Sequence, residues 1–181
     1  MKVFFISDIH GSAYFLEKAL KKFEEEKADH IVILGDILYH GARNDLPKGY
    51  APKKVIELLN ERKNYITAVQ GNCDSYVDGM VLKFPIDAPY SQILTSTGKR
   101  IFMTHGHLYN QDKMPPLPEG TAFIYGHTHI YRAEKEDGFT FINPGSISIP
   151  KGGNPGTYGV LEDGIFYIKD LEGNPITSVE I

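Results

Sequence analysis

The chain has 181 residues, of which 41% are hydrophobic and 23% are charged, and its formal net charge is −4. This length suits one domain with a sizeable core, so we expect residues 1–181 to form a single domain. The negative total charge gives no general attraction to nucleic acid or to an anionic membrane, and no apolar run is long enough to span one. A single cysteine cannot form an intrachain disulfide, which favours a reducing, cytoplasmic location.

The first half of the chain alternates predicted strands with predicted helices. Residues 2–6 form an apolar run typical of a buried strand, and a helix with a serine N-cap is expected over 12–27. Residues 31–34 predict a second strand, Pro52 favours the start of a second helix, and residues 65–69 predict a third strand. This β-α-β-α-β order favours a mostly parallel sheet with right-handed crossovers.

In the second half, predicted hairpins replace the helices. Residues 91–104 resemble two strands around a turn at 97–99, and residues 122–125 predict another buried strand. Two further hairpins are expected over 131–142 and 158–168, because each range contains a Glu-Asp-Gly turn signal. The second half is therefore expected to add strands to the same core.

Two long stretches show no clear periodicity. Residues 37–51 form a long connection, and such loops in compact domains are usually functional or disordered. Residues 143–157 contain three Pro and four Gly, which favour a rigid, turn-rich connector.

Residue types that bind metal ions recur directly after the predicted strands. In chain order they are Asp8 with His10, Asp36, Asn72, His105, and His127 with His129. In an open α/β sheet, ligands bind beyond the carboxyl ends of the strands, so we expect these segments to converge on one crevice. In extended backbone, residues i and i+2 point the same way, so the D-x-H and H-x-H pairs can each grip one ligand. Glycines at 35, 71 and 126 precede three of the segments, where a Cβ would obstruct the turn.

Each of these segments has an ordinary explanation when it is taken alone. Asp8 can cap the following helix, Gly-Asp is a common turn, and a lone histidine is usually an unremarkable polar residue. Five segments in order, however, supply two carboxylates, one amide and four imidazoles. Seven ligands exceed the needs of one tetrahedral zinc and suit two divalent ions that share a bridging carboxylate. With two carboxylates, two such ions leave a local charge of about +2, which favours an anionic phosphate ester as substrate.

The order D-x-H, G-D, G-N, H and G-H-x-H resembles that of the calcineurin-like metallophosphoesterase family. The stretches GNCDS, THGHL, YGHTH and NPGSISIPKGGNP are similar in particular to the small bacterial phosphodiesterases of the YfcE type, and the likeness weakens only after about Tyr158. The resemblance implies an α/β fold, a β-sandwich flanked by helices in four layers, α/β/β/α. It also implies two divalent metal ions, usually manganese with iron, zinc or nickel as alternatives, a small phosphate-ester substrate and a homo-oligomer.

The resemblance also assigns roles to the ligand-type residues. Asp8, His10 and His129 would hold one ion, Asn72, His105 and His127 would hold the other, and Asp36 would bridge them. Asn72 would in addition contact the substrate. His107 matches no ligand position and is expected to be a hydrogen-bond partner of a ligand.

The chain departs from the wider family at one catalytic position. The family usually has histidine where this chain has Cys73, and that histidine is thought to stabilise or protonate the leaving group, with Asp74 orienting it. Because a thiol is a poor substitute, general-acid help is either missing or supplied from elsewhere. His40 and Arg43, in the 37–51 connection, can supply a proton donor or a phosphate contact, or can simply pack the loop.

The leading functional prediction is metal-dependent hydrolysis of a phosphodiester. The ions lower the pKa of a shared water, and the resulting hydroxide attacks phosphorus in line with the departing oxygen. The alternatives are a phosphomonoesterase or nucleotidase that uses the same ions, and a non-catalytic binding scaffold of the same fold. A covalent role for Cys73 is disfavoured because two metals already generate a nucleophile. A phosphate-binding P-loop is excluded, since Pro150 stands where that motif requires Gly before Lys.

Overall fold

The computed structural model describes residues 1–95 and 97–181 and shows an α/β fold in which two sheets pack face to face. The elements of the first half are β1 (Val3–Ile6), α1 (Ala13–Glu25), β2 (His30–Ile33), α2 (Pro52–Asn60), a 3₁₀ turn (Lys63–Tyr65), β3 (Ile66–Ala68) and α3 (Tyr76–Val81). Those of the second half are β4 (Tyr90–Leu94), β5 (Arg100–Thr104), β6 (Ala122–Ile124), β7 (Arg132–Glu136), β8 (Phe139–Asn143), β9 (Thr157–Glu162), β10 (Ile165–Asp170) and β11 (Pro175–Glu180). Within these ranges, no helix combines the length and apolar character needed to cross a membrane.

The first sheet has the strand order β11-β10-β9-β1-β2-β3. Strands β1, β2 and β3 run parallel, with Phe4 opposite Ile31 and Val32 opposite Thr67. The prediction of a parallel sheet is confirmed for these three strands but not for the other half, where β9, β10 and β11 pair antiparallel. The reason is local, because short turns join β9 to β10 and β10 to β11, and short turns can only connect antiparallel neighbours.

The second sheet has the order β4-β5-β6-β8-β7. Its three central strands, β5, β6 and β8, are parallel. Each outer strand forms an antiparallel hairpin with its neighbour, β4 with β5 and β7 with β8. The predicted hairpins are therefore confirmed. Ser96, in the predicted turn region between β4 and β5, lies outside the described residues.

Helices α1 and α2 cover the outer face of the first sheet. Ser12 caps α1 as predicted, since its side chain accepts a hydrogen bond from the backbone N–H of Phe15 at 3.3 Å. On β1, Phe4 faces the helices and the next residue, Phe5, faces the second sheet, as the alternation of a strand requires. The main cores thus lie on both faces of the first sheet.

The four-layer prediction places helices on the outer face of the second sheet, but a loop covers this face instead. Phe102, Phe123 and Phe141 form an aromatic cluster on this outer face. Residues 106–121, which the structure describes in full, cover the cluster with side chains such as Tyr109 and contain no helix. The α/β sandwich is as predicted, and a loop forms its fourth layer.

Candidate metal centre

The seven predicted ligands lie at the carboxyl ends of five strands, and these ends meet at one edge of the sandwich. They are Asp8 and His10 after β1, Asp36 after β2, Asn72 after β3, His105 after β5, and His127 and His129 after β6. Side chains that are far apart in the sequence come together here, since Nε2 of His10 lies 3.3 Å from Nε2 of His129. The convergence expected from the strand ends is therefore present.

Asp8, His10 and His129 form the first group, in which one ligand atom from each residue lies within 4.8 Å of the others. Oδ1 of Asp8 is 3.2 Å from Nε2 of His129 and 3.8 Å from Nε2 of His10. All three residues are buried. These are the three residues that the family resemblance places on one ion.

Asn72, His105 and His127 form the second group. Nε2 of His105 is 3.1 Å from Oδ1 of Asn72 and 3.2 Å from Nδ1 of His127. Asp36 lies between the two groups, because its Oδ2 is 3.4 Å from Nε2 of His105 and 3.7 Å from Nε2 of His10. A carboxylate in this position can reach an ion on either side, as a bridging ligand must.

Five of the seven residues have left-handed backbone conformations. The φ angles are 54° at Asp8, 47° at His10, 55° at Asp36, 66° at His127 and 61° at His129. The expectation that extended backbone aims each D-x-H or H-x-H pair is therefore wrong: Asp8 and His10 do converge on one group, but His127 and His129 contribute to different groups. The chain instead turns sharply at each strand end, in a region that Asp and His visit more readily than branched residues do. Backbone of this kind concentrates at functional sites.

Glycines allow the strand ends to approach one another closely. A Cβ on Gly71 would overlap Asp36, and a Cβ on Gly126 would overlap Oγ of Ser7. Gly35 has a φ of 90°, which other residues rarely adopt. The predicted reason for these three glycines is confirmed.

Backbone carbonyl oxygens orient three of the imidazoles. His10 Nδ1 donates to the carbonyl oxygen of Tyr39 at 2.8 Å. In the same way, His105 Nδ1 donates to that of Leu34 at 2.6 Å, and His129 Nδ1 to that of Ile149 at 2.6 Å. Because a carbonyl oxygen can only accept, Nδ1 carries a proton in each ring, and Nε2 is left as the atom that faces the cluster. This arrangement is typical of histidines that bind metal.

The positions of the inward-facing atoms fit a cation. The Nε2 atoms of His10 and His129 face each other at 3.3 Å, where two lone pairs would repel in the absence of positive charge. Two ligands of one ion, each at about 2.1 Å from it, lie about 3.0–3.4 Å apart. In addition, Oδ1 of Asp8 is buried and has no hydrogen-bond partner among the described residues. Imidazole nitrogen and carboxylate oxygen together suit a divalent transition metal.

The electrostatics of the cluster also favour positive charge. Burial alone would lower the pKa of His105, but the carboxylates of Asp36 and Asp8 outweigh burial and raise it to about 9. Burial alone would raise the pKa of Asp36, but the hydrogen bond and charge of His105 lower it below its ordinary value. Burial would also raise the pKa of Asp8, but the neighbouring imidazoles of His129 and His105 outweigh it and lower that pKa below its ordinary value. Both carboxylates are thus ionised at neutral pH and available as ligands.

Cys73 is not activated as a nucleophile by its surroundings. Burial, followed by the charge of Asp36, raises the pKa of the Cys73 thiol to about 12. Its backbone N–H donates to Oδ1 of Asp36 at 2.8 Å, and its Sγ accepts from Nδ2 of Asn72 at 3.3 Å. The thiol is therefore neutral at physiological pH, which agrees with the expectation that it is neither a nucleophile nor an effective acid.

Asp74 connects the backbones of two of the site loops. Its carboxylate accepts from the N–H groups of Asp36 at 2.9 Å, Ile37 at 2.8 Å and Gly71 at 2.7 Å. The residue is 8% exposed. These contacts fix the loop of Asp36 against the loop of Asn72, which is a positioning role.

A hydroxyl and amide network that the sequence did not reveal supports the first group. Ser7 Oγ donates to Oδ2 of Asp8 at 2.7 Å, and Ser146 and Ser148 both donate to the backbone O of Asp8, at 2.8 and 2.9 Å. Asn143 Nδ2 donates to the carbonyl of Gly126 at 2.8 Å. The 143–157 connector therefore positions the ligands, and its Ser-x-Ser after a strand-terminal Asn was the available signal.

The remaining candidates lie at the margin of the cluster. His40 follows Tyr39, whose carbonyl orients His10, and Nδ1 of His40 is buried without a hydrogen-bond partner among the described residues. Arg43 is exposed in the same connection. The ring centroid of His107 lies 5.3 Å from that of His105, but its buried Nδ1 makes no hydrogen bond within the described part of the chain. The expected hydrogen bond from His107 to a ligand is thus not seen at this atom.

Comparison with known proteins defines the class. Residues 1–163 match the calcineurin-like phosphoesterase superfamily domain, so the chain belongs to this superfamily. Among curated proteins, it is 49% identical over 176 residues to phosphodiesterase YfcE of Escherichia coli K12, covering 97% of this chain and 95% of that protein. The resemblance inferred from the ligand motifs is confirmed.

Solved structures agree with this assignment. The structure of YfcE, a phosphoesterase from E. coli, superposes with a TM-score of 0.97 at 48% identity, with both chains covered completely. Vps29 of Entamoeba histolytica in complex with Zn²⁺ superposes with a TM-score of 0.62 at 17% identity, covering 99% of each chain, and shows the fold alone. Phosphoesterase function at family level is therefore supported for this chain.

Proposed function

We propose that this chain is a phosphodiesterase that binds two divalent metal ions and hydrolyses small phosphodiesters. The observation that carries the proposal is the position of Asp36 between two groups of inward-facing ligand atoms, 3.4 Å from Nε2 of His105 and 3.7 Å from Nε2 of His10. The name of the 49% identical relative supports a diester over a monoester.

Asp8, His10 and His129 would hold one ion, Asn72, His105 and His127 the other, and Asp36 both. When bound, such ions activate water and neutralise charge on the phosphoryl oxygens. The protein supplies preorganisation, since the backbone carbonyls already fix three imidazole rings and the Nδ2 group of the exposed Asn72 can meet a phosphoryl oxygen.

Leaving-group protonation is the step for which the cluster offers no obvious donor. A thiol with a pKa of about 12 is a weak acid, so Cys73 would contribute little. We assign the proton donor to His40, whose loop packs against Cys73 through Gly41, and a contact with the phosphate to Arg43. Asp74 would serve catalysis through the loops that it connects.

The finer features of the proposal combine the chemistry of the ligands with the family resemblance. Imidazole nitrogen suits iron, zinc or nickel and carboxylate oxygen suits manganese, and the resemblance favours manganese among them. Two ions and two carboxylates leave a local charge of about +2, which suits a small anionic ester. A single domain, a cytoplasmic location and a homo-oligomer remain predictions.

A matrix of metals and substrates tests the proposal. The metal-free protein is reconstituted separately with Mn²⁺, Fe²⁺, Zn²⁺ and Ni²⁺ and assayed with 4-nitrophenyl phosphate and with methyl 4-nitrophenyl phosphate. We expect Mn²⁺-dependent hydrolysis that favours the diester. Preference for the monoester would favour the phosphatase alternative, and absence of turnover with every metal would favour the binding scaffold.

A further inference from the structure

A groove opens beside the loop that carries Asn72 and Cys73. It has a volume of about 330 Å³, within the range of small-molecule sites. Gln70 and Ser75 line it and lie on either side of that loop, each two residues from Asn72 or Cys73. Two residues of chain span at most about 7 Å, so the backbone of these two lining residues lies within about 7 Å of that of Asn72 or Cys73.

Most of the side chains that line the groove are apolar or aromatic, and the groove carries little charge. Phe84 and Ile86 lie at its buried side, and Tyr76 and Met80 of α3 line it although they are 86% and 70% exposed. Among its described lining residues the only charged side chain is that of Asp87, which disfavours an anion. Large apolar side chains left in water beside a catalytic centre indicate a ligand-binding surface.

The helix that forms one wall of the groove is capped at its N-terminus. A capping box joins Ser75 and Asp78, with the Ser75 backbone N–H donating to Oδ2 of Asp78 at 2.8 Å. Gly79 lies between the two exposed side chains on this face, and a Cβ there would be in ordinary contact with Cγ1 of Ile86 at 3.8 Å, so a larger side chain at this position would have to extend into the groove. A ring in the groove would therefore lie against the exposed faces of Tyr76 and Met80 and not between Gly79 and Ile86.

We propose that this groove binds one aromatic ester arm of the phosphodiester substrate. The inference rests on the proposed function, since it places the phosphate at the metal centre and the ring in the groove. Its lining matches such a ring: tyrosine offers stacking, methionine adapts to an aromatic face, and the lack of lysine and arginine among the described lining residues leaves the charged phosphate to the metal site.

Binding of two symmetric diesters to the Mn²⁺-loaded protein tests the proposal by calorimetry. Dibenzyl phosphate and dimethyl phosphate carry the same charge, and only the first has a ring for the groove, whichever arm enters. We expect dibenzyl phosphate to bind about tenfold more tightly, since burial of a ring face supplies that much affinity. Gly79→Leu, which fills the groove, and Met80→Asp, which places a charge in it, should each bring the two dissociation constants close together.

Val77→Leu is the matched control, because Val77 is exposed on the same helix but does not line the groove, and it should retain the preference. Equal binding of the two diesters, or a preference that persists in both groove variants, would overturn the proposal. If Gly79→Leu does not fold, Met80→Asp decides.

A stable dimer that Met80→Asp dissociates would show that a second copy covers the groove, and this result would also overturn the proposal. A protein that prefers dibenzyl phosphate but hydrolyses no aryl diester would uphold the groove and contradict the proposed function.

Discussion

Three of the imidazole ligands make a hydrogen bond to a backbone carbonyl on the side of the ring that faces away from the cluster. The outward Nδ1 atoms of His10, His105 and His129 are occupied, so these rings cannot rotate without losing a buried hydrogen bond. The five left-handed backbone positions would each cost of the order of 1 kcal/mol if they were not held by neighbouring contacts. The ligands are therefore positioned before any ion binds.

Replacement of Cys73 by histidine tests whether general-acid help is weak. In Cys73→His, we expect turnover of esters with poor, alkyl-type leaving groups to rise by about tenfold or more, and turnover of activated aryl esters to change less. The measurement is kcat for a series of diesters ranked by the pKa of the leaving alcohol. Cys73→Ser is the control, since a hydroxyl adds no acid, and an equal gain for all esters would contradict the interpretation.

Asp74→Asn tests the positioning role of that carboxylate. One amide oxygen cannot accept from all three backbone N–H groups that the carboxylate now serves, so at least one buried donor loses its partner or is met by an NH₂ group. We expect the free energy of unfolding to fall by about 2–3 kcal/mol, measured by urea denaturation. Asp78→Asn changes a more exposed carboxylate in the same segment, and it should lower the free energy of unfolding by less. Unchanged stability with lost activity would instead show a direct catalytic role.

The sequence predicts which residues form the site better than it predicts the backbone conformations and hydrogen bonds that position them. The order of ligand types after strands was enough to identify all seven converging residues, because strand ends in an α/β sheet share one edge. The sharp left-handed turns were missed, since the D-x-H and H-x-H patterns look the same in extended and left-handed backbone. Ser146 and Ser148 were missed because a Ser-x-Ser in a Pro- and Gly-rich connector is equally typical of an ordinary turn, and the carbonyl that they bind lies 138 and 140 residues away.

At the scale of elements, the residue that follows α1 connects this helix to the first sheet. Oε1 of Glu26 accepts from Nζ of Lys169 at 2.7 Å and from the hydroxyl of Tyr158 at 3.0 Å. Burial alone would raise the pKa of Glu26, but the hydrogen bonds from Lys169 and Tyr158 lower it below its ordinary value. The carboxylate form therefore stabilises the contact between α1, β9 and β10.

The pH dependence of stability tests this contact. Because the pKa of Glu26 is lower in the folded protein, its stabilisation is full above the unfolded value and is lost as the pH falls through the folded value. Glu26→Gln should therefore lower the free energy of unfolding by about 1 kcal/mol at pH 7 and by less near pH 4. Glu25→Gln, the same charge change at an exposed neighbour, should have little effect. A difference that stays constant with pH would contradict this role.

The elements that the sequence did not predict are those with weak local signals. Helix α3 has six residues, most of them exposed apolar side chains, and a short segment of this kind has no helical periodicity to detect. Strand β11 alternates only weakly because it is the outer strand of the sheet. The loop over the second sheet covers Phe102 and Phe123 without regular structure, and burial of that kind depends on tertiary packing alone.

At the scale of the whole molecule, the total charge is a poor guide to the substrate. The formal net charge is −4, yet the site concentrates two ionised carboxylates and four imidazoles, which are the ligand types that divalent ions take in proteins. Two bound ions would reverse the local sign and attract an anionic ester. The chemistry is therefore determined by one edge of the sandwich, and the rest of the surface keeps the protein acidic.

Metal stoichiometry in Asp36→Ala tests the two-ion site most directly. Equilibrium dialysis against Mn²⁺ followed by elemental analysis should find two ions in the unsubstituted protein. In Asp36→Ala it should find the loss of both, because the bridging carboxylate serves each group, and Mn²⁺-dependent hydrolysis of methyl 4-nitrophenyl phosphate should disappear. Asp45→Ala, an exposed carboxylate in the 37–51 connection, should retain both ions. Two bound ions and full turnover in a folded Asp36→Ala protein would contradict the proposed site.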